Sequence, residues 1–257
     1  MKMPVVFIGH GSPMNAISSN SYTQALASLP RKIPTPRAVL CISAHWLTSG
    51  TYITRMAQPR TIYDFHGFPK PLFEVKYPAL GSPEIADEIC KCIVEPSILP
   101  DEGAWGLDHG SWAVLRHMYP KADIPILQLS IDKNKAAEYH FKLGQQLKKL
   151  RSCGILILGS GNIVHNLNLI RWGEGEAPYP WAQEFDEYVK AKLIAHDSQA
   201  LVNDFAKTKA GQLSVPTTEH YDPLLYVLGA SDEQDALNFE FEGFQNASIS
   251  MRSLRFG

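Results

Sequence analysis

The chain has 257 residues, of which 45% are hydrophobic and 19% charged, with a formal net charge of -2 at pH 7. Such values belong to a folded protein with a sizeable core and exclude extended disorder. The near-neutral balance leaves no basic footprint, so the expected partner is a small molecule, with no nucleic acid and no membrane.

Val5-Val6-Phe7-Ile8 reads as a buried strand that stops at Gly9-His10-Gly11, where glycine permits a strand-to-loop turn. Residues Ser21 to Leu29 carry a weak helical pattern, closed by the proline-rich stretch Pro30 to Pro36. Ala38 to Ser43 is a continuous apolar run suited to a parallel strand covered on both faces, and it leads into Ala44-His45-Trp46. Thr61 to Pro71, rich in aromatics, glycine and proline, reads as a structured loop. Phe73, Val75 and Tyr77 then alternate with Glu74 and Lys76 as a half-exposed strand would. Ser82-Pro83-Glu84 opens a helix that extends to about Val94, with an N-cap, a first-turn proline and an acid in sequence.

Trp105 to Trp112 forms a loop leading into a short helix that ends near Tyr119. Ile124 to Ser130 is the third strand, and Lys135 to Arg151 an amphipathic helix stopped by Gly154. Ile155 to Leu158 is a fourth buried strand, followed by Gly159-Ser160-Gly161-Asn162 and, at its end, His165. Helices are expected at Trp181 to Ala195, Leu201 to Lys207 and Leu224 to Gly229, while the tail from Ala247 to Phe256 has strand length but poor alternation. Strands and helices alternate with no biased linker and no repeat, which predicts one α/β domain over 1–257, a mostly parallel central sheet flanked by helices.

Four cysteines without a C-x-x-C pair suggest free thiols rather than a zinc knuckle or a disulfide framework. The N-terminal apolar run is far too short for a signal peptide or a membrane span, so the expected location is cytoplasmic.

In an open parallel sheet, ligands bind at the rim formed by the carboxyl ends of the strands. His10, His45 and His165 each follow a predicted buried strand, while His109 and His220 lie in loops that lead into helices. Taken singly, each would more often be a capped or surface histidine. His10 and His45 differ, because each stands among small residues that let two backbones approach one point, and imidazole pairs suit zinc or iron. There is no P-loop, no G-x-S-x-G elbow and no H-E-x-x-H helix, which disfavours nucleotide, α/β-hydrolase and zinc-protease chemistry.

Six ordered motifs span nearly the whole chain. They are Gly9-His10-Gly11-Ser12-Pro13-Met14, Ser43-Ala44-His45-Trp46, Tyr63-Asp64-Phe65 with Gly67-Phe68-Pro69, Trp105-Gly106-Leu107-Asp108-His109-Gly110-Ser111-Trp112, Ser160-Gly161-Asn162 with Val164-His165-Asn166, and Glu219-His220-Tyr221. Together they resemble the 4,5-DOPA extradiol dioxygenase group of the class III (LigB-type) extradiol ring-cleaving dioxygenases. The resemblance implies one divalent metal ion held by His10, His45 and His220. It further implies His165 as acid/base catalyst, in some members close enough to count as a fourth ligand, and His109 as a second active-site histidine. The implied reaction inserts O2 into the ring of a small DOPA-like catechol and yields a ring-opened semialdehyde. Ring cleavage calls for Fe(II), whereas an all-histidine ligand set also suits Zn(II). Two other readings stay open: a zinc-dependent hydrolase of a small molecule, and a non-catalytic binding protein on the same fold. Trp46, Tyr63, Phe65, His66 and Trp105 are candidate walls of an aromatic substrate pocket.

Overall fold

The computed structural model describes residues 2–173 and 175–257. In chain order the elements are β1 (Val5–Gly9), α1 (Ser21–Ser28), β2 (Ala38–Thr48), β3 (Thr51–Thr54), α2 (Lys70–Phe73), α3 (Pro83–Cys92), β4 (Ile98–Asp101), α4 (His109–Met118) and β5 (Ile126–Asp132). There follow α5 (Ala137–Leu147), β6 (Ile155–Gly161), α6 (Pro180–Ile194), α7 (Ser198–Asn203), α8 (Lys209–Ser214), α9 (Asp222–Ala230), β7 (Leu237–Phe241), β8 (Phe244–Gln245), β9 (Ile249–Ser250) and β10 (Ser253–Phe256). Among the described residues, no helix is long and apolar enough to cross a membrane.

One eight-stranded sheet in the order β4-β3-β5-β2-β6-β1-β10-β7 carries the fold. Its four central strands are parallel, as their uninterrupted apolar runs require, since such strands need cover on both faces. Val5, Phe7 and Leu40 face a core built with α3, α5, α6 and α9. Val6, Ile8 and Val39 face the opposite core, built with α1 and α4 around Trp112. Reversed pairings occur only outside this centre, at β3 against β5, at β10 against β1 and at β7 against β10.

Several elements depart from the sequence-based expectation. Phe73, Val75 and Tyr77 form no strand: Phe73 ends the short helix α2, whose Pro71 has its backbone angle preset for a helix and lacks a ladder donor. Tyr77 is nonetheless buried and its hydroxyl donates to the Tyr119 carbonyl (3.0 Å). β2 does not stop at Ser43 but continues to Thr48, with a shift of register between Ile42 and Leu47. His45 therefore sits inside an irregular strand segment, the kind of distortion that re-aims a side chain. The helix expected at Leu201 to Lys207 lies earlier, as α7 capped by Asp197 and ending at Asn203, and a separate helix α8, capped by Thr208, begins beyond the expected segment. The tail becomes β10, antiparallel to β1, which brings Met251 and Arg252 close behind Gly9.

Candidate metal centre

His10 is the first residue beyond β1, and its N–H donates to the Gly161 carbonyl at the end of β6 (3.0 Å). The chain leaves the rim at Gly11, whose φ of 61° lies in the left-handed region that glycine adopts without strain. Ser160 Oγ donates to the Gly110 carbonyl (2.6 Å), so toward His10 Nδ1 (3.0 Å) it can only accept. The proton of His10 is thereby fixed on Nδ1, and its Nε2 lone pair points into the rim.

His45 and His109 share one carboxylate. Asp64 Oδ2 lies 3.2 Å from His45 Nδ1 and 2.8 Å from His109 Nδ1. Asp64 Oδ1 accepts the His109 backbone N–H (2.9 Å). Burial opposes ionisation of Asp64, yet the hydrogen bond and charge of His109 outweigh it and hold the carboxyl below its usual range. On His220, Nδ1 lies 3.1 Å from Glu219 Oε1, which also accepts from the Thr217 hydroxyl. His165 stacks on His220, with ring centroids 3.5 Å apart and planes 9° from parallel.

All five histidines expected at the rim are thus brought together. His10 Nε2 and His45 Nε2 stand 3.2 Å apart and point at the same space. Two nitrogens bound to one ion at about 2.1 Å each are separated by about 3 Å, so the pair fits a shared metal. Burial, followed by mutual repulsion within the cluster, keeps His10, His45 and His220 well below the ordinary imidazole pKa and therefore neutral. Burial, helped by His109, pushes His165 down to about 4.

Two sets of ligating atoms lie within 4.8 Å of one another: His10, His45 and His109, and His165, Glu219 and His220. The rings of His10, His45 and His220 form a nearly equilateral triangle, with centroids 5.0, 5.3 and 5.1 Å apart. That spacing suits three imidazoles around one ion at about 2.1 Å. His109 lies off this triangle, 4.0 Å from the His45 ring and 5.6 Å from that of His10.

The five histidines open into a cavity of about 380 Å³. Of the five residues expected to wall it, Phe65 and His66 do so. Trp46, Tyr63 and Trp105 do not, which corrects that expectation. Trp46 and Trp105 stack on each other (5.8 Å, 2° between planes), and Trp105 Nε1 donates to Asp108 (3.3 Å). The Tyr63 hydroxyl donates to the Val75 carbonyl (2.5 Å). The apolar wall comes instead from Phe68, from the segment holding Leu167, Ile170 and Trp172, and from Ile249, three separate stretches that carry no common pattern. Also missed were the roles of Asp64, Ser160 and Glu219 in orienting imidazoles; the only signal was their presence within the motifs.

Asp108 anchors this architecture from behind. As N-cap of α4 it accepts from Ser111 N–H (3.1 Å), from the Ser43 hydroxyl (2.7 Å) and from Gln128 Nε2 (2.7 Å), joining β2, β5 and α4. It is fully buried, and burial raises its pKa. A larger concavity of about 730 Å³ lies near Lys2 and Lys148, at the opposite rim of the sheet, and none of the five clustered histidines lines it.

A family profile described as the catalytic LigB subunit of aromatic ring-opening dioxygenase matches residues 4–257. The 4,5-DOPA dioxygenase extradiol of Escherichia coli (strain K12) is 48% identical over 259 residues, covering 100% of this chain and 95% of that protein. That of Beta vulgaris is 38% identical, covering 97% and 95%. The crystal structure of an uncharacterized protein from Escherichia coli K12 superimposes with a TM-score of 0.87 at 45% identity, covering all of both chains. With matched sequence running from β1 to the last residue and a cluster of imidazoles at the carboxyl rim, the chain belongs to the LigB family of aromatic ring-opening dioxygenases.

Proposed function

We propose that the protein is an extradiol ring-cleaving dioxygenase that opens a small, DOPA-like catechol at a divalent metal held by His10, His45 and His220. The observation that supports this reading is the clustering of three neutral imidazoles, each with a polar group beside Nδ1, on a cavity roomy enough for a catechol. Fe(II) is the working metal in this reading. Held by His10, His45 and His220, such an ion would supply Lewis-acid polarisation of the catechol and the redox chemistry that activates dioxygen.

The chain's own groups then have separate tasks. His165, neutral because of its burial, accepts a catechol hydroxyl proton and later returns it as the ring opens. His109, fixed by Asp64, faces the same space and contacts substrate or oxygen. Phe65, T-shaped against His109 at 5.5 Å, and Phe68 grip the ring and exclude water. Both atoms of dioxygen end in the ring-opened semialdehyde. Four free cysteines accord with a reduced, cytoplasmic setting.

The test is anaerobic loading with Fe(II), then admission of oxygen and DOPA, with oxygen uptake and a yellow product as the expected result. No uptake across a panel of catechols would overturn the assignment. The all-imidazole donor set is also that of catalytic zinc sites, so hydrolytic turnover with Zn(II) alone would favour a hydrolase instead.

A further inference from the structure

We propose that Asp64 supplies, through the ring of His45, the negative charge that an all-histidine ligand set lacks, and so controls how tightly the site holds a divalent ion. The inference rests on the assignment of His45 as a ligand. Oxygen-activating iron sites commonly combine two histidines with one carboxylate, and the carboxylate lowers the charge left on the ion. Three neutral imidazoles do not. An anion bonded to the outer N–H of a ligating imidazole does part of the same work, because it makes the inner nitrogen a stronger donor and fixes its direction.

The three candidate ligands differ in what lies behind them. His10 rests on the neutral hydroxyl of Ser160. His220 rests on Glu219, whose side chain is 25% exposed and whose oxygen is shared with Thr217. His45 Nδ1 lies 3.2 Å from Asp64 Oδ2 as an ion-pair contact, the hydrogen bonds of that carboxylate going to His109, and the Asp64 side chain is 15% exposed. Among the described residues, the ion pairs of Asp64 are with His45 and His109 alone, and no Lys or Arg neutralises it. Asp64 is held by the His109 side chain and backbone N–H, with no Lys or Arg beside it, so its negative charge is left directed at the two imidazoles and at whatever cation they bind. Asp108, the other buried carboxylate nearby, accepts from Ser43, Gln128, Trp105 and Ser111, and among the described residues it makes no hydrogen bond to an imidazole. The loop that carries Asp64 is held in place independently of any ion, by Ile62 N–H on the Leu107 carbonyl (2.7 Å) and Trp112 Nε1 on the Ile62 carbonyl (2.8 Å).

The experiment titrates the apo full-length chain with Co(II), read by its visible absorption, and with Fe(II) by competition. Asp64→Asn keeps the size and one acceptor oxygen but removes the charge. It is expected to weaken both ions by roughly ten- to a hundredfold with the apo fold intact, and to move the Co(II) bands. Asp64→Glu is expected to recover part of the affinity. Should the asparagine variant not fold, Asp64→Glu against Asp64→Gln gives the same comparison at matched length. Asn or Gln variants that bind as tightly as their charged counterparts overturn the proposal. If the unmodified protein takes up no ion, it is the metal-site assignment that fails.

Discussion

Gly161 bears no ligating atom, yet Gly161→Ala is expected to weaken the metal centre through His220. A Cβ built on Gly161 would lie 2.2 Å from the His220 carbonyl oxygen, whereas ordinary Cβ contacts begin at 3.4 Å. The His220 segment must therefore retreat by about 1 Å, because close-packed interiors have no slack to absorb the methyl group. Gly161 is not among the residues with positive φ, so alanine suits its backbone and crowding is the only perturbation. Overpacking of this kind costs about 1–3 kcal/mol, which in a chain of this size lowers the apo melting temperature by roughly 2–10 °C. The effect on metal is sharper, since metal–ligand distances tolerate only about 0.2 Å of error. Co(II) affinity is expected to fall by roughly tenfold or more. Thermal melting of the apo protein and a Co(II) titration measure the two effects separately. A variant that melts lower but binds Co(II) with unchanged affinity would refute the reasoning, because His220 would then not belong to the ligand set.

The ligand set can also be addressed directly: His220→Ala is expected to abolish stoichiometric metal uptake, whereas His109→Ala keeps it, and the reverse pattern would make His109 the third ligand. His165→Ala is expected to retain metal, measured by elemental analysis, while oxygen uptake with a catechol falls by at least about a hundredfold; loss of metal would instead make His165 a ligand. Acidification should destabilise the apo protein. His10, His45, His165 and His220 are held below the ordinary imidazole value by burial, so between about pH 4 and 6.5 the unfolded chain binds protons that the native cluster refuses. Moving from pH 7.5 to 5.5 costs on the order of 1 kcal/mol for each such histidine. Asp222, pushed up to about 7 by burial, acts in the opposite direction and offsets part of this loss. Urea denaturation should show a net loss of about 3 kcal/mol at pH 5.5, and stability that is flat or rises on acidification would contradict it.

The four central strands were legible because a parallel strand covered on both faces is mostly apolar: Val5 to Ile8 and Ile155 to Leu158 are apolar throughout, while Ala38 to Ser43 and Ile124 to Ser130 carry Ser43, Gln128 and Ser130 as their polar positions. The strands of the sheet edges were not. Thr51–Thr54, Ile98–Asp101 and Leu237–Phe241 are short, and their pairing depends on partners remote in sequence. The false strand at Phe73 to Tyr77 shows the converse, since alternation alone cannot override the prolines around it.

The sequence by itself determined which residue types could reach the rim: histidines beside glycine, serine and alanine where apolar strands end. Rim position follows from the ends of the apolar strands for His10, His45 and His165, while His109 and His220, in loops that lead into helices, were named with the motifs around them. Only the tertiary structure decided which nitrogen of each ring faces inward, because Ser160 and Asp64 reach His10 and His45 from other segments of the chain and the turn at His220 brings its neighbour Glu219 to Nδ1. It also moved the pocket wall from Trp46, Tyr63 and Trp105 to Phe68, Leu167 and Ile170. Aromatic side chains serve a core and a cavity equally well, and only their placement around the imidazoles separates the two roles.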